Sequence, residues 1–466
     1  MDIKGKRFLV VGFGVSGEAA AHLLIQKGAR VLVIDESKEK SMKRRARRKK
    51  NAGIQIQLGV SSVPKGRFDG AIMSPGVDPR HRLGREVADL DVPVVGELEF
   101  ASWFCSCPMI AITGTNGKTT TTELIHRALR ANRRKALAAG NIGLPLSEAA
   151  LESDHLDYLA VEVSSFQLET IDRFHPPVSV MMNITPDHLD RHVSMEEYAR
   201  AKAAMWRNQE QEDTCVVNTD TERLLKGLGF SPPGRVIRYS LREETVDLWF
   251  DGERIRGPIV ETAGIEARLD KTRLRGPHNA ENIMATLAVS RALGLDLVKT
   301  WKAACDYRPL DHRLQTVGIG RGIEFVNDSK ATNVDAMEKA VLSFNQPVIL
   351  IAGGKDKGFD FHNVAPVIKE RVKACILIGE MREHIYQAWK DVISCVFANS
   401  LEEAAQMAAR MGEKGDVVLL SPGCSSYDMF ENYKDRGKVF CRAVQSILDS
   451  SEDSTNPTRP SQKTGR

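Results

Sequence analysis

No apolar run in these 466 residues approaches the roughly 20 that a bilayer-spanning helix requires, so no membrane insertion is expected. No secretory leader is expected either, because Arg7 to Gly12 reads as a buried first strand entering a glycine turn. The eight cysteines are scattered, only Cys105 and Cys107 stand close, and no C-x-x-C or Cys/His zinc spacing occurs. Reduced, mostly buried thiols in a cytoplasmic protein are expected rather than a disulfide framework. Charge of one sign is not in excess overall, with 65 Lys and Arg against 61 Asp and Glu. No nucleic-acid partner is expected.

What charge there is lies unevenly. Residues 38–50 (KEKSMKRRARRKK) form a dense basic block. It is read as a solvated helix face, with weak attraction to an anionic membrane surface or an acidic partner as the alternative. The last stretch, 449–466, is polar with two prolines and is expected to be a disordered tail.

A chain of this length calls for two to four domains, and hydrophobic and charged contents of 42% and 27% are those of a soluble globular protein. Strands alternate with helical patterns in three series, which predicts an α/β fold of three domains, each a mainly parallel sheet with flanking helices. The first, 1–96, runs RFLVV, a glycine turn, a helix over 16–27, RVLVID and GAIMS, and is Rossmann-like. The second, 97–309, begins at MIAIT and continues through KALAAG, DYLAVEV, VSVMMNI and TCVVNTD, then shorter β-like pieces over 230–275 and a helix over 280–293. The third, 310–448, runs IEFVND, PVILIAGG, ACILIGE, CVFAN and VVLLSPG. Thr113, Asn141, Glu162, Asn183 and Asn218 gather at or just after the carboxyl ends of the second series, where open α/β sheets bind ligands.

The sharpest motif is Thr113-Gly114-Thr115-Asn116-Gly117-Lys118-Thr119-Thr120, between a strand and a helix. Its backbone N–H groups and helix N-terminus suit an anion, Lys118 a β- or γ-phosphate, and the Thr119 hydroxyl Mg²⁺. The full pattern G-x-x-x-x-G-K-[ST] is not met, because Ile112 stands at the first glycine. Glu162, closing a neighbouring strand, is the natural second metal ligand, since Ser164 and Ser165 can cap the helix that follows. A different motif, Gly12-x-Gly14-x-x-Gly17 with Asp35 ending the next strand, has the context of a dinucleotide fingerprint. Its physics is close backbone approach to a diphosphate, which a nucleotide-sugar also presents. An NAD-binding redox or regulatory protein is the competing reading. Ser74, Pro75 and Gly76 lie at a later strand end of the same unit.

Taken in order, T-G-T-N-G-K-T-T, E-V-S-S-F-Q-L-E, N-I-T-P-D-H-L-D-R-H, G-P-H-N-A-E-N, D-H-R and N-D-S-K-A-T-N resemble the Mur ligases of peptidoglycan synthesis, over almost the whole chain to about residue 448. E-V-S-S-F-Q-L-E resembles their D-glutamate-adding branch. The resemblance implies a UDP-binding first domain, an ATPase-like centre and a closing third domain, with ATP and two Mg²⁺ ions as cofactors. It implies UDP-N-acetylmuramoyl-L-alanine and D-glutamate as substrates, joined through an acyl phosphate. By the same resemblance His188 is a second-metal ligand supported by Asp187 and Arg191. Lys202, on its own a surface helix lysine, becomes a carbamylated metal ligand. Asn141 touches substrate near the reacting carboxylate, and Asn279, Asn282, Arg313 and Asp328 serve ATP. Lys330, Thr332, Lys357, Ser426 and Tyr433 anchor the amino acid. Gly14, Val15, Ser16, Asp35, Ser74, Pro75 and Gly76 receive the UDP group, although Glu36 and Ser37 stand where a small polar residue and an arginine are expected. A sister ligase fits less well: no D-N-P-R segment of the diamino-acid ligases is present, and Lys202 argues against the L-alanine-adding enzyme. A folylpolyglutamate-type ligase would not need the first diphosphate site.

Overall fold

The computed structural model describes residues 3–49, 53–188, 191–356 and 358–453. It is an α/β structure with three sheets. The first carries β1 (Arg7–Val11), β2 (Arg30–Asp35), β3 (Gln55–Leu58), β4 (Gly70–Met73) and β5 (Val94–Gly96), all parallel in the order β3-β2-β1-β4-β5. The order reverses between β1 and β4, which opens a crevice beyond their carboxyl ends. There the glycine turn after β1 faces Ser74, whose Oγ donates to the Gly12 carbonyl at 3.2 Å. Gly17 is required by close approach, since a Cβ there would fall 1.8 Å from the Gly12 oxygen.

The second sheet holds β6 (Met109–Thr113), β7 (Ala136–Gly140), β8 (Tyr158–Glu162), β9 (Val178–Met181), β10 (Thr214–Asn218), β11 (Arg235–Ser240), β12 (Leu248–Phe250), β13 (Arg254–Arg256) and β14 (Ala267–Arg268). Its order is β14-β13-β12-β11-β10-β9-β6-β8-β7, parallel from β7 to β12, with β13 and β14 antiparallel at the edge. β6 is buried along its whole length, as a strand covered on both faces must be. It lies between β8 and β9, with Ile112 in register with both Glu162 and Val180. Hence the phosphate loop leaves β6 flanked by the ends of two neighbours.

The third sheet is β15 (Gln315–Gly320), β16 (Ile323–Asn327), β17 (Val348–Gly353), β18 (Val372–Ile378), β19 (Ser394–Phe397) and β20 (Val417–Leu420), in the order β15-β16-β20-β17-β18-β19. Only β15 runs antiparallel.

The chain forms two compact units. One comprises Met1–Ile184, Ser194–Arg268 and Glu281–Asp306, the other Thr185–Val193, Leu269–Ala280 and Tyr307–Arg466. The first unit holds two sheets because one apolar core runs through both: Leu23 and Leu24 of the helix Val15–Gln26 share it with Leu98, Phe100 and Leu146. The third sheet is filled by Ile349, Ile351, Ile376 and Val418 on one face and Leu350, Leu377, Phe361 and Trp389 on the other.

All eight cysteines are free thiols, and among the described residues no helix is long and apolar enough to cross a membrane. The helix Tyr433–Asp453 continues past residue 449, where the tail was expected to begin. Residues 454–466 lie outside the described residues.

Candidate active site

The phosphate loop is built by hydrogen bonds from distant parts of the chain. Gly117, at φ 87°, turns the backbone into the helix Lys118–Ala131, and a Cβ there would sit 2.4 Å from Asn282 Oδ1. Asn183, just beyond β9, takes the Thr115 N–H on its carbonyl at 2.7 Å and the Asn116 N–H on its side chain at 2.8 Å. The Asn183 side chain donates back to the Asn116 carbonyl at 3.0 Å. Thr115 and Tyr198 share a hydroxyl–hydroxyl bond of 3.2 Å. Sequence alone marked Asn183 as a strand-end polar residue and passed over Tyr198; the partners are 67 and 83 residues away, so no local pattern announces them.

Beside this loop three predicted residues converge. The Thr119 hydroxyl donates to Glu162 Oε2 at 2.8 Å, and the Asn141 side chain donates to the other oxygen at 2.9 Å. Glu162 is only 3% exposed. The capping box of Ser164 with Gln167 starts the next helix, so Glu162 is not spent as a cap. Two hard oxygen donors held together at a phosphate loop are what Mg²⁺ takes from a protein. Among the described residues no three His, Cys, Asp or Glu form a cluster, and the predicted set of Thr119, Glu162, His188 and Lys202 contains only two residues of those types.

Lys118 donates to the Gly114 and Thr115 carbonyls at 2.9 and 2.7 Å. Lys202 corrects its expectation as a surface lysine: it is 1% exposed, lies 4.6 Å from the Tyr198 ring centroid and donates to the same Gly114 carbonyl at 2.8 Å. Asn282, expected at adenine, accepts from the Thr121 hydroxyl at 3.2 Å against the loop helix. Asp35 proves to be a loop organiser, because its carboxylate takes the Phe13 and Ser37 N–H groups at 2.6 and 2.7 Å.

From His188 onward, the predicted residues other than Lys202 and Asn282 belong to the second unit. His188 has φ 56°, an uncommon conformation outside glycine, and its own N–H is held by Asp187 Oδ1 at 2.9 Å. The other Asp187 oxygen accepts from Asn333 at 2.9 Å. Arg313 stands between two strained residues, His312 at φ 69° and Leu314 at φ 43°. Asn279 donates to the Arg275 carbonyl at 2.7 Å and lies 3.0 Å from His278 Nε2. Burial pushes His278 down to about 3, so it is neutral, and its Nδ1 is buried with no hydrogen-bond partner among the described residues.

Asp328, Lys330 and Thr332 follow β16, Ser426 follows β20, and these strands are neighbours. The Lys330 ammonium lies 4.3 Å from the Tyr433 ring centroid, and the Tyr433 carbonyl accepts from Ser329 Oγ at 2.8 Å. Arg436, fully buried, draws the same loops together by donating to the Ser329, Cys424 and Ser425 carbonyls. No sequence pattern marked it. Lys357 lies outside the described residues.

Burial raises the Asp328 carboxyl from 3.8 to about 7, against the Leu314 N–H and Ser421 hydroxyl it accepts from. The folded state therefore holds a proton that the unfolded chain releases, and this stability is full below about 3.8 and lost as pH rises to about 7. Asp328→Asn imitates the protonated acid. Its stability relative to the parent should rise by roughly 2–3 kcal/mol between pH 5 and pH 8. Denaturant melts at the two pH values check this, and a difference that does not change with pH refutes it.

Residues 112–290 match the Mur ligase middle domain, and residues 312–424 match the glutamate ligase domain of Mur ligases. The UDP-N-acetylmuramoylalanine–D-glutamate ligase of Syntrophus aciditrophicus is 38% identical over 460 residues, covering 96% of this chain and 99% of that one. The chain is a Mur ligase. The enzyme of the same name from Geobacter metallireducens is 39% identical over 459 residues, with 96% and 99% covered, and both place the chain in that D-glutamate ligase branch. Among solved structures, the UDP-N-acetylmuramate–alanine ligase of Thermotoga maritima aligns with a TM-score of 0.60 at 18% identity, over 95% of this chain and 100% of that one. The MurF ligase of the same organism, in complex with ADP, aligns at 0.57 and 17%, over 96% of each. These two likenesses establish the Mur ligase fold.

Proposed function

We propose that this Mur ligase joins the amine of D-glutamate to the carboxylate of UDP-N-acetylmuramoyl-L-alanine at the expense of ATP, in cytoplasmic peptidoglycan precursor synthesis. The observation that carries the reading is the Thr119–Glu162–Asn141 cluster beside Lys118 and Lys202, in a chain alike from end to end to D-glutamate ligases. The three sheets are proposed as its three domains, 1–96, 97–309 and 310–448.

Transfer between two anions is chiefly a matter of position and charge. Lys118 and the N–H groups of Gly117 to Thr120, at the start of the helix, receive the triphosphate. Thr119 and Glu162 would hold a first Mg²⁺, His188 and carbamylated Lys202 are the further proposed ligands, and the metal would supply charge that offsets the phosphates. Asn141 fixes Glu162 and meets the substrate carboxylate, which takes the γ-phosphoryl group as an acyl phosphate. Asn279, Asn282, Arg313 and Asp328 hold the rest of ATP. D-Glutamate needs two anchored carboxylates, for which Lys330, Thr332 and Lys357 form one set, Ser426 and the backbone at Tyr433 the other. Its amine attacks the acyl carbonyl and phosphate leaves. Gly14, Val15, Ser16 and Ser74 to Gly76 receive the UDP group.

Purified enzyme with ATP, Mg²⁺ and the UDP substrate should release phosphate with D-glutamate and at least about a hundredfold less with L-glutamate, L-alanine or a diamino acid. Equal rates with L-glutamate would sink the reading.

A further inference from the structure

Within the basic block, one arginine is set apart by helix phase. The helix Lys40–Lys49 turns Met42, Arg45 and Ala46 toward the first core and leaves Lys43, Arg44 and Arg47 exposed. Arg45 is thereby carried to the glycine turn after β1. Its Nε donates to Glu18 Oε2 at 2.5 Å, its Nη2 donates to the Gly14 carbonyl at 3.0 Å, and its guanidinium lies 5.0 Å from the Phe13 ring centroid.

The charges at this turn explain what such an arginine does there. The turn opens a twelve-residue helix, and a Cβ at Gly14 would meet no atom within 4 Å, so a ligand can come close to the backbone. A diphosphate arriving there meets Glu18 in the first turn of that helix, a charge of the wrong sign. Asp35 adds another carboxylate, already occupied with the Phe13 and Ser37 N–H groups. Arg45 is bonded both to the turn and to Glu18.

We propose that Arg45 is the side-chain cation that admits the diphosphate of the nucleotide substrate, offsetting Glu18 and supplying a charge-assisted donor to the phosphate oxygens. This rests on the reading of the first sheet as the UDP-substrate subsite. It gives one residue of the basic block a task in substrate binding. The guanidinium is suited to it, being always charged and able to bond two acceptors at once.

The test uses the full chain. Arg45→Gln should raise KM for UDP-N-acetylmuramoyl-L-alanine about tenfold or more and weaken UDP in a calorimetric titration by a similar factor. KM for ATP and D-glutamate should stay within about twofold, Arg45→Lys should fall between, and Lys43→Gln and Arg47→Gln should match the parent. A merely structural bond to Glu18 is separated by Glu18→Gln combined with Arg45→Gln. If Arg45 only satisfies Glu18, the double variant regains parental KM; if it binds the diphosphate, the double variant remains weaker than Glu18→Gln alone. Should Arg45→Gln fold poorly, UDP titration of Arg45→Lys gives the answer. Parental UDP affinity in Arg45→Gln, or equal losses in Lys43→Gln and Arg47→Gln, overturns the proposal. A parent that binds UDP but shows no D-glutamate-dependent phosphate release refutes the ligase reading and leaves the titration to judge Arg45.

Discussion

Replacing Lys202 by alanine is expected to lower turnover about a thousandfold, with part of the rate restored by formate or acetate. The side chain is 1% exposed, and its ammonium shares the Gly114 carbonyl with that of Lys118. Two cations on one acceptor, one of them buried, are a costly arrangement. Once the ammonium has lost a proton, the neutral amine adds CO₂, forming an N–C bond and releasing a second proton, and the cation becomes a carbamate whose single negative charge is shared by two oxygens. Those oxygens suit Mg²⁺ where an ammonium cannot serve. A small carboxylate in the space left by alanine supplies a similar oxygen, which is why rescue reports on the carbamate and not on packing. Parental activity in Lys202→Ala, or a loss that no carboxylate relieves, defeats the carbamate.

Burial on both faces is what made the central strands legible. RFLVV, MIAIT and PVILIA are nearly continuous apolar runs because helices cover both sides of each sheet. β3 (QIQL) and β15 (QTVGIG) escaped notice because each is an edge strand, half-exposed and alternating, with little apolar signal to read. Site residues followed a similar division. Thr119, Glu162 and Asn141 were legible because strand ends in one parallel sheet must lie side by side. Lys202 was not, for its burial depends on a loop 88 residues earlier returning to the helix Met195–Ala203. Arg45 stood among cations of identical character, and only the phase of a folded helix distinguishes it. The resemblance placed the UDP group at Asp35 without revealing that both carboxylate oxygens are bonded to backbone N–H groups.

Lys118→Met should cost the most, a loss of about a thousandfold or more in kcat/KM for ATP, with the fold intact. The half-buried ammonium is bonded to the Gly114 and Thr115 carbonyls of its own loop, a position from which a phosphate can take it over with little movement. Methionine keeps an unbranched apolar side chain, one atom shorter than that of lysine, and removes the charge and its donors. The loop keeps its shape through Asn183, which holds Thr115 and Asn116 independently of Lys118. Thermal stability should therefore change by no more than roughly 1 kcal/mol. Lys118→Arg tests whether charge alone is enough: its planar fork cannot place a compact cation on both carbonyls, so it should recover less than about a tenth of the parental rate. If Lys118→Met kept more than a tenth of parental kcat/KM while the Thr119–Glu162 pair remained necessary, the phosphate charge would be met by the loop's backbone and the metal, and the role given to Lys118 would be wrong.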